Sequence, residues 1–208
     1  MSQAVLSQVA VRDLGQSELS AAGALVGRAL QDNPIIERVF ERCFSRRAAA
    51  LGEIYGTILR QIQAKGVVLG AFAPDDTLVG VGALVQPGGC AQSTFEKIAL
   101  TRVIQSCSSV EMALGHQRWQ AGLARRDPKD PHWHVGPVAI EPGFQRKGFG
   151  TALMTALCAR IDKFPAMAYL ETDRRETVPF FTRFAFKAIT DAGVLEVPHW
   201  FMMRARQR

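Results

Sequence analysis

At 208 residues, with 48% hydrophobic and 21% charged residues, the chain suits one globular unit, numbered 1–208, with a sizeable core. Its net charge of +6 admits nucleic acid, an anionic membrane surface or a groove for an acidic cofactor, but the basic residues are dispersed and interleave with no aromatics, which argues against nucleic acid. No apolar run approaches membrane length and no basic stretch followed by an apolar core opens the chain, so the expectation is a cytoplasmic protein without a membrane partner.

Residues 8–14 set Val9 and Val11 among polar neighbours, the pattern of a first strand. Ser17 can cap a helix with Leu19, Ala22, Val26, Ala29 and Leu30 on one face, stopped at Asp32-Asn33-Pro34. Ile35, Ile36, Val39 and Phe40 add a short further helix. Ser45 can cap the cleanest helix, in which Leu51, Ile54, Tyr55, Ile58, Leu59 and Ile62 form a core stripe ahead of Gly66. Residues 67–73 and 78–85 read as apolar strands around the turn Pro74-Asp75-Asp76-Thr77, and Gln86-Pro87-Gly88-Gly89 breaks the chain. Residues 93–126 are mostly helical, divided near Ser106 to Ser109, and a charged, proline-bearing loop runs from Arg125 to Pro131. Cys43, Cys90, Cys107 and Cys158 have neither C-x-x-C pairing nor metal spacing, which suits reduced, structural thiols.

Residues 132–140 form the next strand. Pro137 cannot donate to a ladder and Gly136 stands beside it, so a bulge is expected there, splaying this strand from the following one at 167–172. Between the two lies the turn Gln145-Arg146-Lys147-Gly148-Phe149-Gly150, which opens an amphipathic helix over 148–163 carrying Leu153, Leu157 and Ile161. A helix start presents unpaired N–H groups and the positive end of the helix dipole, glycines let a ligand approach the backbone, and Arg146 and Lys147 add positive charge. The ligand expected is a polyphosphate. A Walker motif fits only from Gly143 to Gly148, because Phe149 and Gly150 stand where Lys and Ser/Thr are required. The dinucleotide fingerprint finds Gly148 and Gly150 but Leu153 at its third glycine, although Glu171 lies at a suitable distance for a ribose contact. Asp173-Arg174-Arg175-Glu176 reads as an exposed loop that caps a short helix over 176–184, and two strands, 186–190 and 194–204, complete the chain.

Gln145, Gly148 and Gly150 also fit Q/R-x-x-G-x-G/A, the acetyl-CoA signature of the GCN5-related N-acetyltransferases (GNAT), which this chain resembles. A-Y-L-E-T at 168–172, P-F-F-T-R-F-A-F at 179–186 and V-P-H-W-F-M at 197–202 are similar to the puromycin N-acetyltransferase branch. The resemblance implies an α/β (α+β) fold: a mixed, mostly antiparallel sheet of about seven strands flanked by helices, with strands 4 and 5 splayed. It implies an enzyme that uses acetyl-CoA as co-substrate and acetylates a primary amine of a small molecule, as a monomer or homodimer. The cofactor would lie along Val138, Ala139 and Ile140, with its pyrophosphate on Gln145, Arg146, Lys147, Gly148, Phe149, Gly150 and Thr151. Thr177, Phe180 and Phe181 would wall its far side, and the segment 90–127 would be a helical insertion shaping the acceptor site.

The implied chemistry is direct attack of an amine on a thioester, which calls for a base, oxyanion stabilisation and a proton for the departing thiolate. Glu171, on the strand beside the wedge, and His134, which titrates near neutral pH, are the candidate bases. In the family a tyrosine serves the thiolate within an F-Y-E-R-x-G-F run. That run aligns here with residues 180–186 and places Phe181 at the tyrosine, while Thr177 replaces a family asparagine. A CoA-binding sensor or degenerate transferase is therefore the alternative function. His132 and His134 share a strand face, but no third ligand stands at close spacing, so no metal is expected.

Overall fold

The structure, a computed structural model, describes residues 9–41, 46–164 and 166–206. The expectations for Gln8, Cys43 and Ser45 lie outside these residues. The strands are β1 (Ala10–Asp13), β2 (Gly66–Phe72), β3 (Leu78–Val85), β4 (Trp133–Ile140), β5 (Ala168–Thr172), β6 (Lys187–Val194) and β7 (Val197–Arg204). They form a seven-stranded sheet in the order β1-β2-β3-β4-β5-β7-β6. Every neighbouring pair is antiparallel except β4 and β5, which are parallel. The helices are α1 (Leu19–Leu30), α2 (Pro34–Val39), α3 (Arg47–Gln63), α4 (Thr94–Cys107), α5 (Val110–Ala124), α6 (Phe149–Ile161) and α7 (Val178–Thr182). No helix among the described residues is long and apolar enough to cross a membrane.

Strand alternation divides the core into two layers. On β2, Val68 and Phe72 join the apolar faces of α1 and α3, while Leu69 and Ala71 join Leu153, Met154 and Leu157 of α6 on the opposite face. The helix stripes read from sequence are the buried ones: Leu19, Ala22 and Val26 on α1, and Leu51, Ile54, Leu59 and Ile62 on α3. Helix α4 begins with a reciprocal cap, Ser93 Oγ accepting from Glu96 N at 3.2 Å and Glu96 Oε2 accepting from Ser93 N at 2.7 Å.

Two local expectations change. Ser17 lies within a 3-10 turn, Gln16–Glu18, and the chain is held there by Glu18 Oε2 accepting from Gly15 N at 2.8 Å. The last two strands form a hairpin of eight residues each, longer on its first strand than the sequence suggests. Its turn uses Leu195 (φ 52°) and Glu196 (φ 68°), non-glycine residues in the left-handed region, so no glycine or asparagine marks it.

Helices α1 and α3 cross with almost no space between their backbones. A Cβ on Gly23 would fall 2.5 Å from Gly56 N, and one on Gly27 2.4 Å from Ala48 O. Gly23→Val is therefore expected to destabilise the fold by about 3 kcal/mol, read by urea unfolding. A stability within experimental error of the parent would mean that the helices separate without penalty.

Candidate active site

The site is built where β4 leaves β5. The two strands pair only at Trp133↔Ala168 and His134↔Tyr169. Beyond that point the edge of β4 facing β5 is open, and those backbone groups of 135–140 that do not bond to β3 look into a wedge. On the other edge the register with β3 shifts between Gly82 and Leu84, so an extra residue of β4 is accommodated around Gly136-Pro137. The bulge exchanges the faces of the strand. Trp133 and Val135 point to the α6 layer, whereas Ala139, of the same parity, joins the α1/α3 layer, and Val138 and Ile140 now face α6. His134 is thus left on the face opposite α6.

Below the wedge, the 3-10 turn Pro142–Phe144 leads into the basic turn and α6. Gln145 Nε2 donates to Ile140 O at 3.2 Å, which folds the turn back on the end of β4. Arg146 (φ 59°) and Gly148 (φ 96°) both take left-handed backbone, and Gly148 is the residue before the first helical one. The first bond of the new helix runs from Ala152 N to Gly148 O at 3.0 Å, so the N–H groups of 149–151 have no acceptor within the helix. Gly150 sits against Phe180, whose ring would lie 3.4 Å from any Cβ placed there. Two of the expected cofactor residues aim their side chains elsewhere. Phe149 is buried with Ala73 and Val79, leaving only its backbone for a ligand, and Lys147 donates to Gly143 O at 2.8 Å while lying over the Phe144 ring.

A cleft of about 1310 Å³ joins this turn to the face carrying His134 and Glu171. Val138, Ala139, Ile140, Gln145, Arg146 and Gly148 line one end. Gly150, Thr151, Thr177, Phe180 and Phe181 complete that end, so most of the expected cofactor residues meet in one space. Phe181 is 9% exposed, packed edge-on to Phe180 at a centroid distance of 5.2 Å, and contributes apolar wall. Thr177 Oγ1 is committed locally, to Thr172 Oγ1 and Arg174 O, each at 2.8 Å.

The other end carries charge of both signs. Asp127, Glu171, Asp173 and Glu176 line the cleft together with His134, Arg174, Lys65 and Lys97. Glu171 Oε2 lies 3.2 Å from His134 Nε2, and the other ring nitrogen of His134 lies 3.7 Å from Asp127 Oδ1. Burial opposes the positive charge of His134, but Glu171 and Asp127 outweigh it and raise its pKa well above the usual value. His132 behaves in the same way, its burial overcome by Asp127, Cys90 and the Asp130 carbonyl, which bring it to about 10. Burial alone would raise the thiol of Cys90, yet the two histidines lower it to about 7. Neither histidine is isolated, and the third and fourth ligand atoms missing from the sequence pattern are present: Cys90 and Asp127 meet His132 and His134 with all ligand atoms within 4.8 Å of one another. Two tyrosines, Tyr55 and Tyr169, also line the cleft, and burial together with nearby carboxylates raises both phenols, so they stay protonated.

Asp173 is not part of an exposed loop that caps the next helix, as its charged neighbours suggest. It is 8% exposed, its Oδ2 accepts from Ile35 N at 2.8 Å and its Oδ1 from Asn33 Nδ2 at 3.1 Å, so it caps α2 instead. Arg174 reinforces the corner by donating to Asn33 Oδ1 at 2.8 Å and Asp32 O at 2.7 Å. Asp173→Ala should therefore cost about 2–4 kcal/mol, because it strands buried donors, and should loosen this cleft wall. Hydrogen exchange at Ile35 reports the second effect, and unchanged protection there would contradict it.

A model of the family described as "Acetyltransferase (GNAT) family" matches residues 36–186. Among solved structures, a protein described as histone acetyltransferase HPA2 and related acetyltransferase, from Corynebacterium glutamicum, is similar at TM-score 0.67 and 18% identity, over 97% of this chain and 98% of its own. The PaiA N-acetyltransferase of Thermoplasma acidophilum in complex with coenzyme A matches at TM-score 0.56 and 15% identity, over 95% and 98%. A GNAT family acetyltransferase of Brucella melitensis in complex with acetyl-CoA matches at TM-score 0.51 and 18% identity, over 96% and 89%.

Proposed function

The chain belongs to the GNAT acetyltransferase family, and from that premise we propose that it transfers an acetyl group from acetyl-CoA to a primary amine of a small molecule. The observation that carries this reading is the position of Glu171, on β5 just past the last residues paired with β4, where the open strand edge meets the far end of the cleft. The pyrophosphate of acetyl-CoA is held by the free N–H groups of 149–151 and by Arg146, and its amide-bearing arm pairs with the open edge of β4. Gly148 and Gly150 leave the room that this approach needs.

The acceptor enters as an ammonium ion attracted by the carboxylate of Glu171. Glu171 takes its proton, directly or through a water, and the neutral nitrogen attacks the thioester carbonyl. A C–N bond forms and the C–S bond breaks, while an N–H of β4 near Val138 stabilises the oxyanion. The proton that the nitrogen sheds as the amide forms passes through water to the departing sulfur, so CoA leaves as the thiol, and a reference thiol pKa of about 8.5 makes this departure tolerable without a tyrosine at 181. His134 holds the Glu171 carboxylate in place from the neighbouring strand. The helical pair α4 and α5, within residues 90–127, covers the acceptor end and selects the amine, with residues 1–208 acting as one unit.

Thiol release from acetyl-CoA over a panel of amines tests the proposal. Acceleration by at least one small primary amine is expected. If acetyl-CoA binds and no amine accelerates release, the transferase reading fails and a CoA-binding sensor takes its place.

A further inference from the structure

We propose that Cys90, Asp127, His132 and His134 bind a single Zn²⁺ ion at the acceptor end of the cleft. The residues come from three parts of the chain: Cys90 from the loop after β3, Asp127 and His132 from the loop after α5, and His134 from the start of β4. Sγ of Cys90 lies 3.8 Å from Nε2 of His132, Oδ1 of Asp127 lies 3.2 Å from the same nitrogen, and Nδ1 of His134 lies 3.7 Å from that oxygen. A tetrahedral zinc with Zn–N and Zn–O near 2.0–2.2 Å and Zn–S near 2.3 Å has ligand-to-ligand edges of about 3.3–3.6 Å. The three separations above are near that edge and all six are within 4.8 Å, so side-chain shifts of about 1 Å bring the four atoms to the corners of such a site.

The hydrogen positions agree. When the ion is bound, His132 Nδ1, 2.8 Å from Asp130 O, which can only accept, keeps its hydrogen, and Nε2 gives up the second proton of the metal-free ring and turns its lone pair toward Asp127 and Cys90. His134 Nε2 lies 3.2 Å from Glu171 Oε2, an acceptor too, so the one hydrogen that a metal-bound ring keeps belongs there and Nδ1, on the Asp127 side, is left for the ion. Asp127 Oδ1 is buried and receives no hydrogen bond, although two ring nitrogens surround it. Without a metal, protons on the two rings supply the positive charge that this buried carboxylate requires, and one shared Zn²⁺ can replace them both. Thiolate with two imidazoles and one carboxylate suits Zn²⁺ rather than Mg²⁺ or Ca²⁺, which take oxygen ligands.

With four protein ligands the site is closed, which assigns the ion a structural task. It ties both loops that flank the helical pair α4 and α5 to β4, and it fixes the His134 ring with Nε2–H toward Glu171. The first effect is independent of the proposed reaction, whereas the second, which makes His134 a positioning residue, rests on Glu171 serving as base.

The test uses the full chain without a histidine tag. Metal analysis of the purified protein is expected to find one Zn²⁺ per chain. After removal of zinc by a chelator, Co²⁺ should give a thiolate-to-cobalt charge-transfer band with the intense visible bands of a four-coordinate ion. Cys90→Ser should abolish the charge-transfer band, and the near-isosteric Asp127→Asn should weaken Co²⁺ binding tenfold or more, with about 10–100-fold the usual scale even for lost supporting contacts around a metal. Circular dichroism checks that both variants fold, and the parent protein's stoichiometry and spectrum stand without them. Absence of zinc together with failure of the stripped protein to take up Co²⁺ overturns the proposal. So does Co²⁺ uptake without a thiolate band. Because the ion is counted without acetyl-CoA or amine, failure of the transferase reading leaves this result standing, and the reverse also holds.

Discussion

Replacing Glu171 by Gln is expected to lower kcat for amine acetylation by about 10²–10⁴-fold while leaving acetyl-CoA affinity within a few-fold of the parent. The split follows from position. Glu171 sits on β5 beyond the residues paired with β4, on the same face as Tyr169, whereas the residues lining the cofactor end lie on β4 past the bulge and on the turn before α6. Gln keeps the shape of the side chain and can still meet His134, but it cannot accept the amine proton. The measurement is steady-state kinetics with a good amine, alongside equilibrium titration with acetyl-CoA. Turnover within tenfold of the parent would sink Glu171 as the base and direct attention to His134. A parallel loss of acetyl-CoA affinity would mean that the carboxylate supports the wedge rather than the proton transfer.

The fold was largely legible because its signals are local. Apolar spacing over 51–62 marks α3, the Pro74 to Thr77 turn marks the β2–β3 hairpin, and Pro137 with Gly136 marks the bulge that opens β4 from β5. Legibility failed where a residue's role depends on a distant partner. Asp173 sits in a run of charges that reads as an exposed loop, yet its carboxylate serves the start of α2, 138 residues earlier in the chain. Phe149 occupies a ligand-binding turn, yet its ring packs against Ala73 and Val79.

The same limit hides the cluster at the acceptor end. His132 and His134 stand two apart on one strand face, which is visible. Cys90 precedes them by a whole helical pair, and Asp127 belongs to a loop whose return to β4 nothing in the local pattern dictates. Sequence spacing identifies metal sites when ligands share one turn or one helix. Here the ligands share only the edge where the helical pair rejoins the sheet.

Gly148→Glu is expected to remove acetyl-CoA binding, weakening it by at least about 100-fold, or 2.7 kcal/mol, while the domain remains folded. Two effects act together. Gly148 holds φ 96°, a conformation that costs any residue with a Cβ about 1–2 kcal/mol and that aims the first free N–H groups of α6 at the cleft. A carboxylate there also places negative charge beside the N–H groups of 149–151, where it both repels phosphate and can occupy their donors itself. Gly148→Ala separates these contributions, since it carries the backbone penalty without the charge and should lose much less affinity. Calorimetric titration with acetyl-CoA and with CoA reads all three proteins, and thermal unfolding verifies that they are folded. Retained affinity in Gly148→Glu would show that the pyrophosphate is held elsewhere, and would withdraw the turn as the anion site while leaving the splayed strands and their carboxylate in place.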